Sequence, residues 1–218
     1  MDLQNIQVKI CGLTKPDESR ECANLGADAI GLVFYPKSPR CVDKETAKKI
    51  CKSIPDNVST VGVFVDEDIS SILEISSYCG LKAVQLHGNE TNETIERLKS
   101  EGLIVIKGLF VKKPPFLKDA HQYNASSFLI ELGTGNLPGG NAIAWDFELV
   151  KNFDKPFIIA GGLSLENVSD AVLKSMPDAV DVSSGVEIKH GIKNIQKVAS
   201  FIQKVKNIKI NRKLRRIF

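Results

Sequence analysis

A thiol stands at the end of an apolar run in Val8-Lys9-Ile10-Cys11-Gly12-Leu13-Thr14. Cysteine is a common core residue. One that closes a strand beside a glycine, with Lys9 two residues back, is also placed to act as nucleophile or base, provided nearby N–H groups and the ammonium lower its pKa. A carboxylate ends a second apolar run, Phe128-Leu129-Ile130-Glu131, just before Gly133-Thr134-Gly135-Asn136-Leu137-Pro138-Gly139-Gly140-Asn141. Burying such a charge is costly without a partner or a task, which makes Glu131 a candidate acid. The glycine-rich segment after it has the length of a lid, and equally that of a solvent-exposed loop.

Groups that hold anions accompany these two. In Phe34-Tyr35-Pro36-Lys37-Ser38-Pro39-Arg40-Cys41 two prolines stiffen a loop that carries Lys37 and Arg40. Basic loop residues are usually only solvated, but fixed φ angles lower the entropy cost of aiming a guanidinium, which grips a carboxylate through two parallel bonds. Two later runs end in Gly161-Gly162 and in Asp181-Val182-Ser183-Ser184-Gly185-Val186-Glu187. Glycines there let backbone N–H groups close on an anion, and a short helix after the last strand would add its positive end, so the two turns together predict a phosphate cup. Asp181 is placed either to bind a substrate hydroxyl or to serve as a buried, hydrogen-bonded acid. Asp66, Gln85, His87 and Lys107 also stand at strand ends, as secondary candidates or as plain polar lining.

Elements must position these residues. Eight short β-branched runs recur: Ile6–Cys11, Asp28–Phe34, Ser59–Val65, Lys82–Leu86, Leu103–Lys107, Ser126–Glu131, Pro156–Ala160 and Asp178–Val182. Helix-like stretches separate most of them: Pro16–Leu25, Lys44–Ser53, Ser70–Tyr78, Thr91–Ser100, Ser164–Lys174 and Ile192–Val205. Alternating units of about 25 residues predict an α/β fold with a parallel sheet. An open doubly wound sheet competes. The count of eight, and reactive residues at so many C-terminal strand ends, favour a single (β/α)₈ barrel whose strand ends converge on one mouth. Gly26, Gly80 and Gly102 are read as left-handed helix stops. The fifth and sixth helices are indistinct, because Pro114-Pro115 interrupts one and the glycine-rich segment replaces the start of the other.

Composition narrows the class. With 218 residues and 43% hydrophobic content the chain can bury one core, expected over residues 1–207, with 208–218 as a basic tail. No apolar run approaches the ~20 residues of a membrane span, and the N-terminal residues lack a secretory pattern, so the expected location is cytoplasmic. Five cysteines without a CxxC spacing argue against disulfides and zinc, and three separated histidines against any metal. The formal charge of +3 is uneven: seven Lys or Arg and no acid lie in 203–218, leaving 22 basic and 26 acidic residues, net −4, in the rest. A solvated extension or frayed terminus is the expected form of that segment. The anion-holding groups predict a small phosphate-bearing partner, which the resemblance below makes a phosphosugar, with no nucleic acid and no membrane, and with monomer or homodimer both compatible.

The segments Val8–Thr14, Gly31–Arg40, Val84-Gln85-Leu86-His87-Gly88 and Val180–Glu187 together resemble the signatures of the phosphoribosylanthranilate isomerase family, in the same order, over about 7–205. The resemblance implies a cofactor-free Amadori rearrangement of N-(5-phosphoribosyl)anthranilate in tryptophan biosynthesis. It implies Cys11 as general base, a carboxylic acid on the sixth strand as general acid, Arg40 on the anthranilate carboxylate, and Asp181 at the sugar. Gly161, Gly162, Ser183, Ser184 and Gly185 would hold the phosphate. The family most often ends its sixth strand in aspartate, where this chain has Glu131, one methylene longer. Related sugar-phosphate barrels fit less well. The isomerase of histidine biosynthesis calls for a second glycine-rich cup, where the third strand here ends Val63-Phe64-Val65-Asp66-Glu67, and indole-glycerol-phosphate synthase for an early lysine acid where Cys11 stands. A catalytically silent phosphate-binding barrel is the reading from another class, and the presence of base, acid and both anion grips speaks against it.

Overall fold

The computed structural model describes residues 5–134 and 145–218. Eight parallel strands close into a barrel in chain order: β1 (Gln7–Cys11), β2 (Ala29–Val33), β3 (Ser59–Phe64), β4 (Ala83–Leu86), β5 (Ile104–Phe110), β6 (Ser127–Glu131), β7 (Phe157–Ile159) and β8 (Ala179–Val182). β8 pairs back onto β1 with Lys9 opposite Asp181, and β1 onto β2 with Cys11 opposite Gly31. The expected closed barrel is the one observed, and the competing open sheet is excluded. β5 runs three residues beyond the expected Lys107, because Leu109 and Phe110 continue its ladder opposite Ile130 and Glu131.

Side chains alternate across each strand. Ala29, Val61, Ala83, Ile106, Leu129 and Ile158 fill the barrel's inside, with Ala160 and Ala179 beside them, while the larger apolar cluster lies between barrel and helices. Above this layer the inward positions turn polar, and that switch makes a mouth.

Helices α1 (Pro16–Asn24), α2 (Lys44–Ser53), α3 (Ile69–Cys79) and α4 (Asn92–Ser100) begin where their capping chemistry places them. Pro16 opens α1, and the Asp43 and Thr91 side chains accept from the backbone N–H groups of Thr46 and Thr94. Gly80 ends α3 in the left-handed conformation. The two indistinct helices are single 3₁₀ segments, Leu117–Gln122 and Phe147–Val150. α5 (Val168–Ser175) starts later than Ser164, since the Asn167 side chain accepts from Ser164 N–H and folds 164–167 into a turn. A hairpin of β9 (Glu187–Lys189) and β10 (Ile192–Lys193) precedes α6 (Ile195–Lys206), which is thus shorter at its start than its periodicity suggested.

Residues 208–218 do not form the frayed, solvated extension that their charge suggested. They return to the N-terminal end of the barrel, where Leu214, Ile217 and Phe218 are buried, and Ile217 and Phe218 join the inner cluster. Two backbone N–H groups, of Ile217 and Phe218, donate to Gln7 Oε1, and Arg212 and Arg215 both reach the fully buried Asp178 carboxylate. The basic residues are thus partly structural cations, and the apolar pair stops the barrel's lower end. Phe218→Ala is expected to cost about 3 kcal/mol, or roughly 6–12 °C in melting temperature for a domain of this size, with kcat at 25 °C unchanged. A thermal melt beside a rate assay checks this. An unaltered melting temperature would mean that the plug carries no stability.

Candidate active site

A cleft of about 800 Å³, including its open mouth, lies at the C-terminal ends of the strands and is lined by Cys11, Arg40, His87, Glu131, Gly161 and Ser183 among others. Asp181, Gly162 and Ser184 also line it. The candidates from β1, β2, β6, β7 and β8 therefore meet at one place, except Gly185, which is not part of the lining. Asp66 and Lys107 do not. Lys107 points out of the barrel, where its ammonium donates to Glu90 Oε2 (2.7 Å) and to the Gly88 carbonyl, bracing the turn after β4. Asp66 accepts from Asn89 N–H in that same turn.

Cys11 is 8% exposed, at the end of β1. Lys9, one inward position below it and fully buried, donates to Asp181 Oδ1 at 3.0 Å and to Gln85 Oε1 at 2.9 Å. Gly31 on β2 makes room for this pair, because a Cβ there would lie 2.7 Å from Cys11 Sγ and 3.1 Å from Lys9 Cε. Burial opposes the Lys9 charge, but Asp181 and Cys11 outweigh it and hold the ammonium above its ordinary pKa. The thiol does not behave as its sequence position suggested. Burial pushes it above the usual thiol range, and the pull of Lys9 recovers only part of that.

Glu131 closes β6 and is 6% exposed. Its Oε1 lies 3.5 Å from His87 Nε2. His87 is buried at the end of β4, among the strand-end candidates of the sequence. The inward alternation of Ala83, Gln85 and His87 is the signal that places it. Space for Glu131 comes from Gly161, whose added Cβ would sit 3.2 Å from the Glu131 Cβ. Most of the expected lid, from Gly135 onward, lies outside the described residues. The chain re-enters at Trp145, whose indole N–H donates to the Ala160 carbonyl at 2.9 Å.

Arg40 is 4% exposed, and its Nε and Nη2 already make a two-bond pair with Glu187 (2.8 and 2.7 Å). The expectation of a free fork waiting for a substrate carboxylate is corrected by this pairing. Among the described residues Nη1 has no hydrogen-bond acceptor, so one edge of the guanidinium is left for a ligand. Lys193 of β10 also donates to Glu187 Oε1 at 2.8 Å. Burial works against the Glu187 charge, but these two cations dominate and bring its pKa to about 2. Both Glu187 and Lys193 escaped the sequence reading as site residues. Glu187 was visible only as the end of a motif, and nothing in the sequence marks Lys193.

The turns after β7 and β8 lie against each other. A Cβ on Gly185 would run into the Leu163 carbonyl oxygen, so only glycine permits the approach. The segment after β8 is a three-residue 3₁₀ turn, Ser184–Val186, too short to supply the helix dipole expected there. The Lys193 ammonium donates to the Ser183 carbonyl at this turn (3.2 Å). Among the described residues no cluster of His, Cys, Asp and Glu could hold a metal, and no helix is long and apolar enough to cross a membrane.

This arrangement places a carboxyl, a thiol, a guanidinium edge and the two turns after β7 and β8 around one cavity. Residues 8–204 match the family model described as N-(5'phosphoribosyl)anthranilate (PRA) isomerase. The chain is 45% identical to the N-(5'-phosphoribosyl)anthranilate isomerase of Desulfatibacillum aliphaticivorans over 98% of its length and 99% of the relative's. The crystal structure of phosphoribosyl anthranilate isomerase from Thermotoga maritima superposes with a TM-score of 0.86 at 37% identity, covering 93% of this chain and all of that one. A phosphoribosyl anthranilate isomerase in complex with reduced 1-(o-carboxyphenylamino)-1-deoxyribulose 5-phosphate gives 0.82 at 36% identity, with the same coverage of both chains. With the closed barrel and these matches in agreement, the chain belongs to the N-(5'-phosphoribosyl)anthranilate isomerase family.

Proposed function

We propose that this cleft performs the family's Amadori rearrangement with Glu131 as acid and Cys11 as base, converting N-(5-phosphoribosyl)anthranilate into 1-(2-carboxyphenylamino)-1-deoxyribulose 5-phosphate. The observation that carries the reading is a buried carboxyl and a buried thiol, three strand positions apart around the ring, facing one cavity. Glu131 gives its proton to the ribose ring oxygen as the C1–O bond breaks, leaving an iminium at C1. The positive nitrogen acidifies the C2 proton, and the Cys11 thiolate removes it. The resulting enolamine tautomerises to the ketone.

Asp181, held through Oδ1 by Lys9, keeps its second oxygen for a sugar hydroxyl. Gly161, Gly162, Ser183, Ser184 and Gly185 receive the phosphate, and Arg40 Nη1 receives the anthranilate carboxylate. A substrate with two separated anions would thereby be stretched across the mouth and aligned between acid and base. Every one of these groups comes from a single chain, so the reading holds for a monomer and a homodimer alike. Its substrate and product are small phosphorylated solutes, and we assign the reaction to the cytoplasm.

Mixing the protein with freshly made phosphoribosylanthranilate should quench the substrate's ultraviolet fluorescence catalytically. Saturable binding without turnover would make it a silent ligand-binding barrel. Arg40→Ala should weaken binding of carboxylate-bearing ligand by about tenfold, the worth of one charge-assisted bond, and leave an N-phenyl analogue without the carboxylate unaffected. Titrations with both ligands check this, and equal losses for the two would remove Arg40 from carboxylate recognition. Lys193 stays on Glu187 in that variant and limits the structural damage.

A further inference from the structure

Five side chains form one line across the mouth: Asp181, Lys9, Gln85, His87 and Glu131. Hydrogen-bond chemistry fixes the links from Asp181 to His87, and the last step is an approach of His87 Nε2 to Glu131 Oε1. An ammonium only donates, so the Gln85 atom facing Lys9 Nζ at 2.9 Å is Oε1. The amide nitrogen is then the atom 3.2 Å from His87 Nδ1. An amide nitrogen likewise only donates, so Nδ1 must be the bare, accepting nitrogen. In a neutral imidazole the proton therefore sits on Nε2, the atom that faces Glu131 Oε1 at 3.5 Å.

We propose that Gln85, pinned by Lys9, locks His87 in its Nε2–H tautomer and thereby orients the Glu131 carboxyl for proton delivery. Gln85 is a positioning residue. It touches neither ring oxygen nor C2. With Nε2–H aimed at Oε1, that oxygen accepts and the acidic proton belongs on Oε2, the oxygen toward Gly161. When Oε2 loses its proton, the same Nε2–H stabilises the carboxylate left behind. The wrong tautomer would set two lone pairs against each other at the moment charge develops. Catalytic histidines depend on such a lock generally, since the partner of one ring nitrogen decides what the other can do.

This inference rests on Glu131 being the acid, and two variants separate it from that reading. Gln85→Met keeps length but removes both hydrogen bonds, so position 85 no longer sets the His87 tautomer. Gln85→Glu keeps shape and the Lys9 contact but offers only acceptors, so it draws a proton onto Nδ1. If Gln85 merely packed or anchored Lys9, the Glu variant would be the milder one. The lock predicts the reverse: Gln85→Glu lowers kcat by about tenfold relative to Gln85→Met, one hydrogen bond's worth of rate.

The direct measurement is ¹⁵N NMR of histidine-labelled, substrate-free protein. Wild type should show an unprotonated Nδ1 and a protonated Nε2 for His87, and Gln85→Glu should protonate Nδ1. A protonated Nδ1 in wild type, or an unchanged ring in Gln85→Glu, overturns the lock without any appeal to activity. Spectra as expected but with Gln85→Glu faster than Gln85→Met overturn its link to proton delivery. Failure of the underlying reading looks different: Glu131→Gln would then turn over like wild type while the His87 spectrum stayed as stated.

Discussion

Cys11→Ser should reduce turnover by at least about 10³-fold, in the upper part of the range for loss of one positioned acid–base group, with substrate affinity and melting temperature nearly unchanged. Serine fills the same space and keeps a hydroxyl beside Lys9, but it cannot supply an anionic base near neutral pH. The raised pKa of Cys11 gives this expectation a second arm. The reactive pairing of protonated acid with thiolate holds one proton between the two groups. Its population is level with pH while the pair keeps that one proton, because each gain in thiolate is matched by a loss of acid. Above the pKa of Cys11 the pair loses its last proton and no acid remains. The alkaline fall in kcat/KM should therefore lie above the ordinary thiol value, shifted there by burial of Cys11. Stopped-flow fluorescence across pH reads both arms. A serine variant with substantial turnover, or an alkaline limb at or below the ordinary thiol pKa, would take Cys11 out of the role of base.

That burial was not readable from residue order. The sequence places Lys9 near Cys11 and suggests a lowered pKa, yet the barrel surrounds the thiol so completely that desolvation outweighs the ammonium. Strand identities, by contrast, follow from local pattern. Eight β-branched runs separated by capped helices are written in spacing of apolar residues, and the convergence of Cys11, Glu131, Gly161 and Asp181 follows once the strands are parallel and closed. Partnerships across the ring depend on distant segments. Glu187 occupies the Arg40 fork from 147 positions away, and Lys193 reaches the same carboxylate from a hairpin that reads as helix in sequence. The terminal segment misled for a related reason. Its charge pattern resembles a solvated tail, while Arg212 and Arg215 are matched to Asp178, and two apolar residues at its end seal the barrel.

Glu131→Gln is expected to lower single-turnover rates by about 10²–10⁴-fold, the usual worth of one positioned acid. The substitution is nearly isosteric, and its side-chain oxygen can still accept from His87 Nε2–H, so the chain of contacts back to Lys9 should survive. Only the transferable proton is removed. Glu131→Asp makes the complementary change, preserving the acid while withdrawing it by one methylene. Gly161 gives the longer side chain room. Gly161 leaves open the space beside the Glu131 Cβ and lies 3.8 Å, at its own notional Cβ, from Oε2, so the side chain can extend past the strand end toward the cup. An aspartate at the same backbone position would stop short of that space. Glu131→Asp should accordingly fall between wild type and Glu131→Gln, and its deficit should appear in kcat more than in KM, since the anion grips are untouched. Rapid-mixing fluorescence with enzyme in excess isolates the chemical step from product release. A Gln variant as fast as wild type would assign ring-oxygen protonation to another group, and an Asp variant slower than Gln would show that reach, and not the proton, is what position 131 supplies.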